Sequence, residues 1–135
     1  MDRTKLLIRT AAVYAFIGAF LGSHMAGSAQ YAFRSVHAHI LVVGWLSLFA
    51  FGVFYRVFPI PAKSRLALAH VWTAVIGSIG LTAGMWLYYV KPMPELELFN
   101  TIFFIVGGTT LLISFALFLV ITLVFGKYIG ESSKK

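Results

Sequence analysis

Four apolar runs constrain this chain more than any other feature. They cover residues 6–29, 36–58, 66–90 and 98–125, and each is long enough to cross a bilayer, which takes about 20 residues of α-helix. Inside hydrocarbon the backbone polar groups must be satisfied within the segment, so runs of this length become helices. The expected fold is all-α, an integral membrane four-helix bundle forming a single transmembrane domain over residues 1–135. Composition agrees, with 60% hydrophobic and only 11% charged residues, against about 25% charged in soluble domains.

The segments between the runs supply punctuation and orientation. Pro59 and Pro61 end the second run by removing amide donors and restricting the residues before them. Lys91-Pro-Met-Pro-Glu-Leu-Glu97 makes a hydrophilic loop before the fourth run, and Gly126 to Lys135 reads as a short mobile basic tail. The net charge of +7 would suggest nucleic acid in a soluble domain, but here the basic residues lie between apolar runs. Arg3, Lys5, Arg9, Arg56, Lys63, Arg65, Lys127, Lys134 and Lys135 fall on one side of a four-helix topology, and only Arg34 and Lys91 on the other. The positive-inside rule then puts both termini in the cytoplasm and accounts for the charge, so a nucleic-acid role is not expected. The first run also has an n-region-like start, and Ala26-Gly-Ser-Ala29 resembles a cleavage site. It is expected to be a retained helix. Gly18 and Gly22, and then Gly77, Gly80 and Gly84, suggest close approach of neighbouring helices. The fourth run has no ionisable side chain and is expected to be lipid-facing or structural.

Chemistry is concentrated in Arg34-Ser35-Val36-His37-Ala38-His39, which opens the second run. An ionisable residue inside a membrane is a functional-site hypothesis by default. At about 100° per residue, His37 and His39 point to nearly opposite faces of one helix. They cannot both reach the same ion, so the pair serves two sites or two neighbouring molecules. There are no cysteines, which excludes thiolate metal sites, iron–sulfur clusters and covalently attached haem. Neutral imidazole remains, and two imidazoles saturate a haem iron to give an electron-transfer centre. Arg34, one turn before His37, is placed to meet haem propionates; Gly44 returns to the His37 face and would leave room for a porphyrin, and Trp45 could line the pocket. The plainer alternatives are histidines hydrogen-bonded across helices and aromatic residues that merely fill the core. His24 and His70 are weaker candidate ligands. His24 lies near a helix end where water or headgroups would meet it, and His70, beside Trp72 near the opposite face, is expected to snorkel to the interface.

The segment from Arg34 to Pro59, with Arg34-Ser-Val-His37-Ala-His39, Gly44-Trp45 and Phe51-Gly52-Val-Phe-Tyr55-Arg-Val-Phe-Pro59, resembles the second helix of subunit I in the haem-copper oxidase superfamily. It is closest to the C-type oxidase and nitric oxide reductase branches, and is also similar to small four-helix subunit I-like proteins with a His-Ala-His segment. The resemblance implies that His37 ligates a b-type haem. His39 departs from the usual residue there, although the family's tenth helix carries its own His-x-His serving two haems. The large subunit consists of three arcs of four helices, so the present chain looks like one four-helix arc. The resemblance and the opposed faces together imply a homotrimer in which His37 of one chain and His39 of the next clamp one haem b. A monomer or dimer pairing His37 with His24 is the competing arrangement.

Adjacent copper-ligating histidines, an active-site tyrosine motif and an acidic residue within a helix are all missing from this sequence. Oxygen reduction by this chain alone is not expected. The expectation is a b-type cytochrome of a prokaryotic inner membrane, transferring electrons to an unidentified redox partner or sensing redox state or gas. A copper- or haem-handling accessory protein and a cofactor-free structural subunit remain the alternatives.

Overall fold

Asp2 starts the first helix. Its carboxylate accepts a hydrogen bond from the Lys5 amide at 2.9 Å, satisfying one of the donors that a helix N-terminus leaves free. The computed structural model describes residues 2–29 and 31–130; Lys134 and Lys135, assigned above to a basic tail, lie outside them. Helix α1 spans Arg3–Ser28 and ends at Ala29 in the left-handed conformation, φ 51°. Helix α2 spans Arg34–Val57. Phe58, the residue before Pro59, is extended, as a following proline demands. Ser64 caps α3, Arg65–Val90, by accepting from the Ala67 amide. A single 3₁₀ turn, Pro94–Leu96, leads into α4, Glu97–Val124. All four helices are long and apolar enough to cross a membrane, and the chain is a multi-pass membrane protein. Each helix boundary falls within three residues of the hydropathy expectation.

The interior of α2 departs from that expectation. Ile40–Ser47 is π-helical, between α-helical Arg34–His39 and Leu48–Val57. No proline marks this segment; Gly44 lies within it, Ser47 at its end donates its hydroxyl to the Val42 carbonyl five residues back at 2.9 Å, and its first residue follows His39 directly. Wider π turns are rare and occur frequently at functional sites.

The helices pair as two antiparallel hairpins, α1 with α2 and α3 with α4. Between transmembrane helices there is no hydrophobic driving force, so association depends on close packing of small residues. In the α3–α4 hairpin the backbones themselves touch. A Cβ on Gly80 would lie 2.8 Å from the Gly107 Cα, and one on Gly84 2.6 Å from the Phe104 Cα. The α1–α2 hairpin instead uses glycines as sockets. Gly18 receives Leu41 and Ile40, and Gly22 receives His37; from the other side, Gly44 receives the Tyr14 ring and Gly52 receives Ile8.

Aromatic and polar contacts join the hairpins. Phe118 of α4 packs on Phe51 and Phe54 of α2, with ring centroids 4.7 and 5.0 Å apart. Tyr14 of α1 and Thr82 of α3 share a buried hydroxyl–hydroxyl hydrogen bond of 3.2 Å. At the basic end, Arg3 donates to the Pro61 carbonyl at 2.8 Å, tying the start of α1 to the α2–α3 connection. The first residues of the expected tail are structured: Gly126–Tyr128 forms a 3₁₀ turn, and Tyr128 and Ile129 pack against the Phe54, Ile60 and Ile121 cluster. Apolar side chains there favour the bundle surface over water.

Outside these contacts the helices present apolar side chains. Leu98, Leu112, Leu119 and Leu123 of α4 are each at least 60% exposed, a surface suited to lipid.

Gly107→Leu should destabilise the bundle by about 1–3 kcal/mol through overpacking, measured by reversible unfolding in mixed detergent micelles. Gly27→Leu, where an added Cβ meets nothing within 4 Å, should change stability by no more than about 0.5 kcal/mol. Equal effects would contradict backbone contact as the basis of the α3–α4 hairpin.

Candidate functional site

The first turns of α2 send their two imidazoles to different environments. His37 faces α1, where its ring covers Gly22 so closely that a Cβ there would lie 2.9 Å from Cε1. Its Nδ1 is buried and has no hydrogen-bond partner among the described residues. His39 instead lines a shallow groove of about 170 Å³ with Ala38, Val42 and Val43. Its Nδ1 lies 2.9 Å from the Ser35 carbonyl oxygen. A carbonyl can only accept, so Nδ1 carries the proton and Nε2 keeps the free lone pair. Metal-ligating histidines are usually held in this manner, donating one ring N–H to a carbonyl while the other nitrogen binds.

The groove at His39 is lined by α2 alone and is smaller than the ~300 Å³ at which small-molecule and cofactor pockets begin. Within one chain it offers a single wall. The other wall would have to come from outside this chain.

The remaining candidates surround this pair unevenly. Arg34 is exposed, with its guanidinium 4.9 Å from the Tyr31 ring centroid. Trp45 is 40% exposed, on the surface of the single chain. Gly44 does share the α1-facing side of α2 with His37, as its spacing implies. The space expected there for a porphyrin, however, is filled by the Tyr14 ring. Within one chain Gly44 is a socket for a tyrosine. His24 is exposed and sits two residues beyond Gly22, thus about 200° around α1 from the position that touches His37. The structure does not bring His24 to His37.

His70 corrects the expectation of snorkelling. It is fully buried, because it lies on the same face of α3 as Ala67 and Ala74, the face turned into the bundle. Phe51 meets its ring edge-on at 4.6 Å, and Phe118 lies at 5.4 Å. Tyr55 Oη and His70 Nδ1 share a hydrogen bond of 2.8 Å, while His70 Nε2 has no partner. The Arg3 guanidinium stands 5.1 Å from the Tyr55 ring centroid. Arg3, Tyr55 and His70 therefore form a polar chain from the basic end into the core, a grouping that sequence reasoning missed. An imidazole inside an apolar run was visible, but which way it faced was not.

Among the described residues no three His, Asp or Glu side chains converge on a point that could hold a metal ion. The four histidines of one chain thus offer three imidazoles that do not converge, His24, His37 and His39, at the end away from most of the basic residues, and one buried imidazole, His70. Four-coordinate metal binding would need several chains. Axial ligation of a planar cofactor needs only one imidazole on each side.

Tyr55→Phe should destabilise the protein by about 1–3 kcal/mol, because it leaves both nitrogens of buried His70 without partners. Tyr55→Phe combined with His70→Phe should cost less than Tyr55→Phe alone, since removing both partners removes the unmet polar groups. A double variant as unstable as the sum of the singles would contradict this account. Comparison of the chain with protein-family models, curated proteins and solved structures finds no match, so the functional reading rests on residues and geometry.

Proposed function

We propose that this protein is a membrane b-type cytochrome, active as a homotrimer in which His37 of one chain and His39 of the next ligate one haem at each interface. The observation that carries the reading is His39. Its Nδ1–H is fixed on the Ser35 carbonyl, leaving Nε2 as the free ring nitrogen, in a groove that supplies only one wall. The opposed placement of His37, with an unpartnered ring nitrogen, supports the same arrangement. Two ligands on opposite sides of α2 cannot serve one iron within a chain, but they complete each other around a closed ring of copies. The resemblance of Arg34 to Pro59 to haem-copper oxidase subunit I supports haem b over other planar cofactors.

In this reading Arg34 neutralises propionates near the outer end, and Trp45 covers the ring edge from an adjoining chain. Tyr14 fills the Gly44 socket, so within one chain Gly44 offers no room to a haem. A haem held by His37 and His39 would supply one-electron chemistry. The chain's own part would be to hold and orient the imidazoles. Nine of the eleven basic residues at one end favour cytoplasmic termini, in the inner membrane of a prokaryote. The haem layer then lies in the outer half, suited to exchange with a redox partner at that face.

The detergent-purified protein should show a Soret band and, on reduction with dithionite, sharp α and β bands, with about one haem per chain. His37→Ala and His39→Ala should each abolish haem retention, and His24→Ala should retain it. A protein expressed with ample haem that shows no Soret band would overturn the reading. A His39→Ala protein with a normal low-spin spectrum, beside a His24→Ala protein without one, would replace the trimer with ligation inside one chain.

A further inference from the structure

Two grooves meet at Arg9. The first, about 400 Å³, lies between the start of α1 and the end of α2 and is lined by Asp2, Thr4, Lys5, Ile8, Arg9 and Arg56. The second, about 420 Å³, runs between α1 and α3 and is lined by Arg9, Thr10, Val13, Tyr14, Ile17 and Ile79. Their chemistry is opposite. The first gathers three cations from two helices around a single carboxylate, which is already engaged in capping the Lys5 amide. The second is apolar apart from Arg9 and the hydroxyls of Thr10 and Tyr14, and the Tyr14 hydroxyl is bonded to Thr82.

Charge asymmetry across a membrane requires basic residues at one end of a bundle but does not require them to converge on a groove. Nor does it require an apolar channel to leave from the same arginine. Arg9 lies six residues into α1, about 9 Å from its start at 1.5 Å per residue. A side chain at that depth reaches the interface by laying its stem along the helix, with its charge towards Lys5. From Arg9 to Ile17 the second groove extends a further ~12 Å, most of the ~15 Å depth of one leaflet's hydrocarbon. Val13, Ile17 and Ile79 are 58%, 41% and 50% exposed, so a chain lying there would cover surface that the bundle leaves open.

We propose that Lys5, Arg9 and Arg56 hold the phosphate of an anionic phospholipid, with one acyl chain lying in the groove from Thr10 to Ile17. Thr4 adds a hydroxyl at the edge of the headgroup site. Basic pockets between transmembrane helices are suited to such headgroups; here the adjoining apolar groove selects a lipid over a free anion. The lipid joins α1, α2 and α3 at the basic end, where the two hairpins meet. The inference is independent of the histidines and of haem.

The test uses the full chain in phosphatidylcholine vesicles carrying spin-labelled phosphatidylglycerol or spin-labelled phosphatidylcholine, with the motionally restricted fraction as readout. The wild type should prefer the anionic label by about threefold or more. K5Q/R9Q/R56Q should lose that preference, while K63Q/R65Q, which removes charge from the same end outside the groove, should keep it. Ile79→Trp fills the apolar groove without changing charge and should weaken the preference; it decides the matter should the triple variant fail to fold. Millimolar inorganic phosphate at constant ionic strength should not displace the lipid. The proposal is overturned by a wild type without preference, by a folded triple variant that keeps it, or by K63Q/R65Q losing it equally. An unchanged preference in Ile79→Trp, or full displacement by phosphate, overturns it as well.

Discussion

Backbone contact through glycine is the interaction on which the rest of this structure depends. In a bilayer, lipid tails solvate leucine as well as another helix does, so a bundle of apolar helices holds together only where surfaces approach closely or polar groups pair. Gly80 against Gly107 brings α3 and α4 to backbone contact, and Gly18, Gly22, Gly44 and Gly52 interlock α1 with α2. Because α1 covers one side of α2, each residue there has a fixed environment: His37 sits under α1, and His39 sits in an open groove. The different environments of the two histidines follow from helix packing.

Between the hairpins a few polar contacts add to the apolar packing of α1 and α2 on α3 and α4. Tyr14 reaches Thr82, and Tyr55 reaches His70. In a medium without water such groups have few other partners, so each contact fixes the relative position of the hairpins even where its net energy is modest. The Tyr55–His70 contact lies close to Arg3, which also holds the α2–α3 connection. These contacts tie α1, α2 and α3 together at the basic end. At the other end, the opening turns of α2 are exposed at Arg34, Ser35 and Ala38.

Much of the fold was legible because hydrocarbon imposes simple rules. Run length gave four helices, and Pro59 and Pro61 gave the break after α2. Glycine spacing anticipated close approach, although not that Gly18 and Gly22 serve α2 while Gly77, Gly80 and Gly84 serve α4. The opposed faces of His37 and His39 followed from the helical period alone. Other features lay beyond sequence reading for particular reasons. The π-helical turns after His39 fall in a mostly apolar run, and neither its apolar residues nor Gly44 and Ser47 distinguish a wider turn from an ordinary α-helical one. The filling of the Gly44 socket by Tyr14 depends on tertiary register between α1 and α2. The direction of His70 could not be read because α3 is apolar on every side, so hydrophobic pattern does not distinguish the face that meets α2 and α4 from the face that meets lipid.

The central claim is that His37 and His39 act from different chains on one haem. Chains carrying His37→Ala and chains carrying His39→Ala, each with its own affinity tag, can be co-expressed and purified through both tags in succession. Neither variant alone offers an interface with both histidines, whereas any mixed trimer contains one such interface. The account predicts that doubly tagged protein regains a low-spin haem spectrum at about one third of the wild-type haem per chain. Co-purified mixed assemblies with no haem would contradict it.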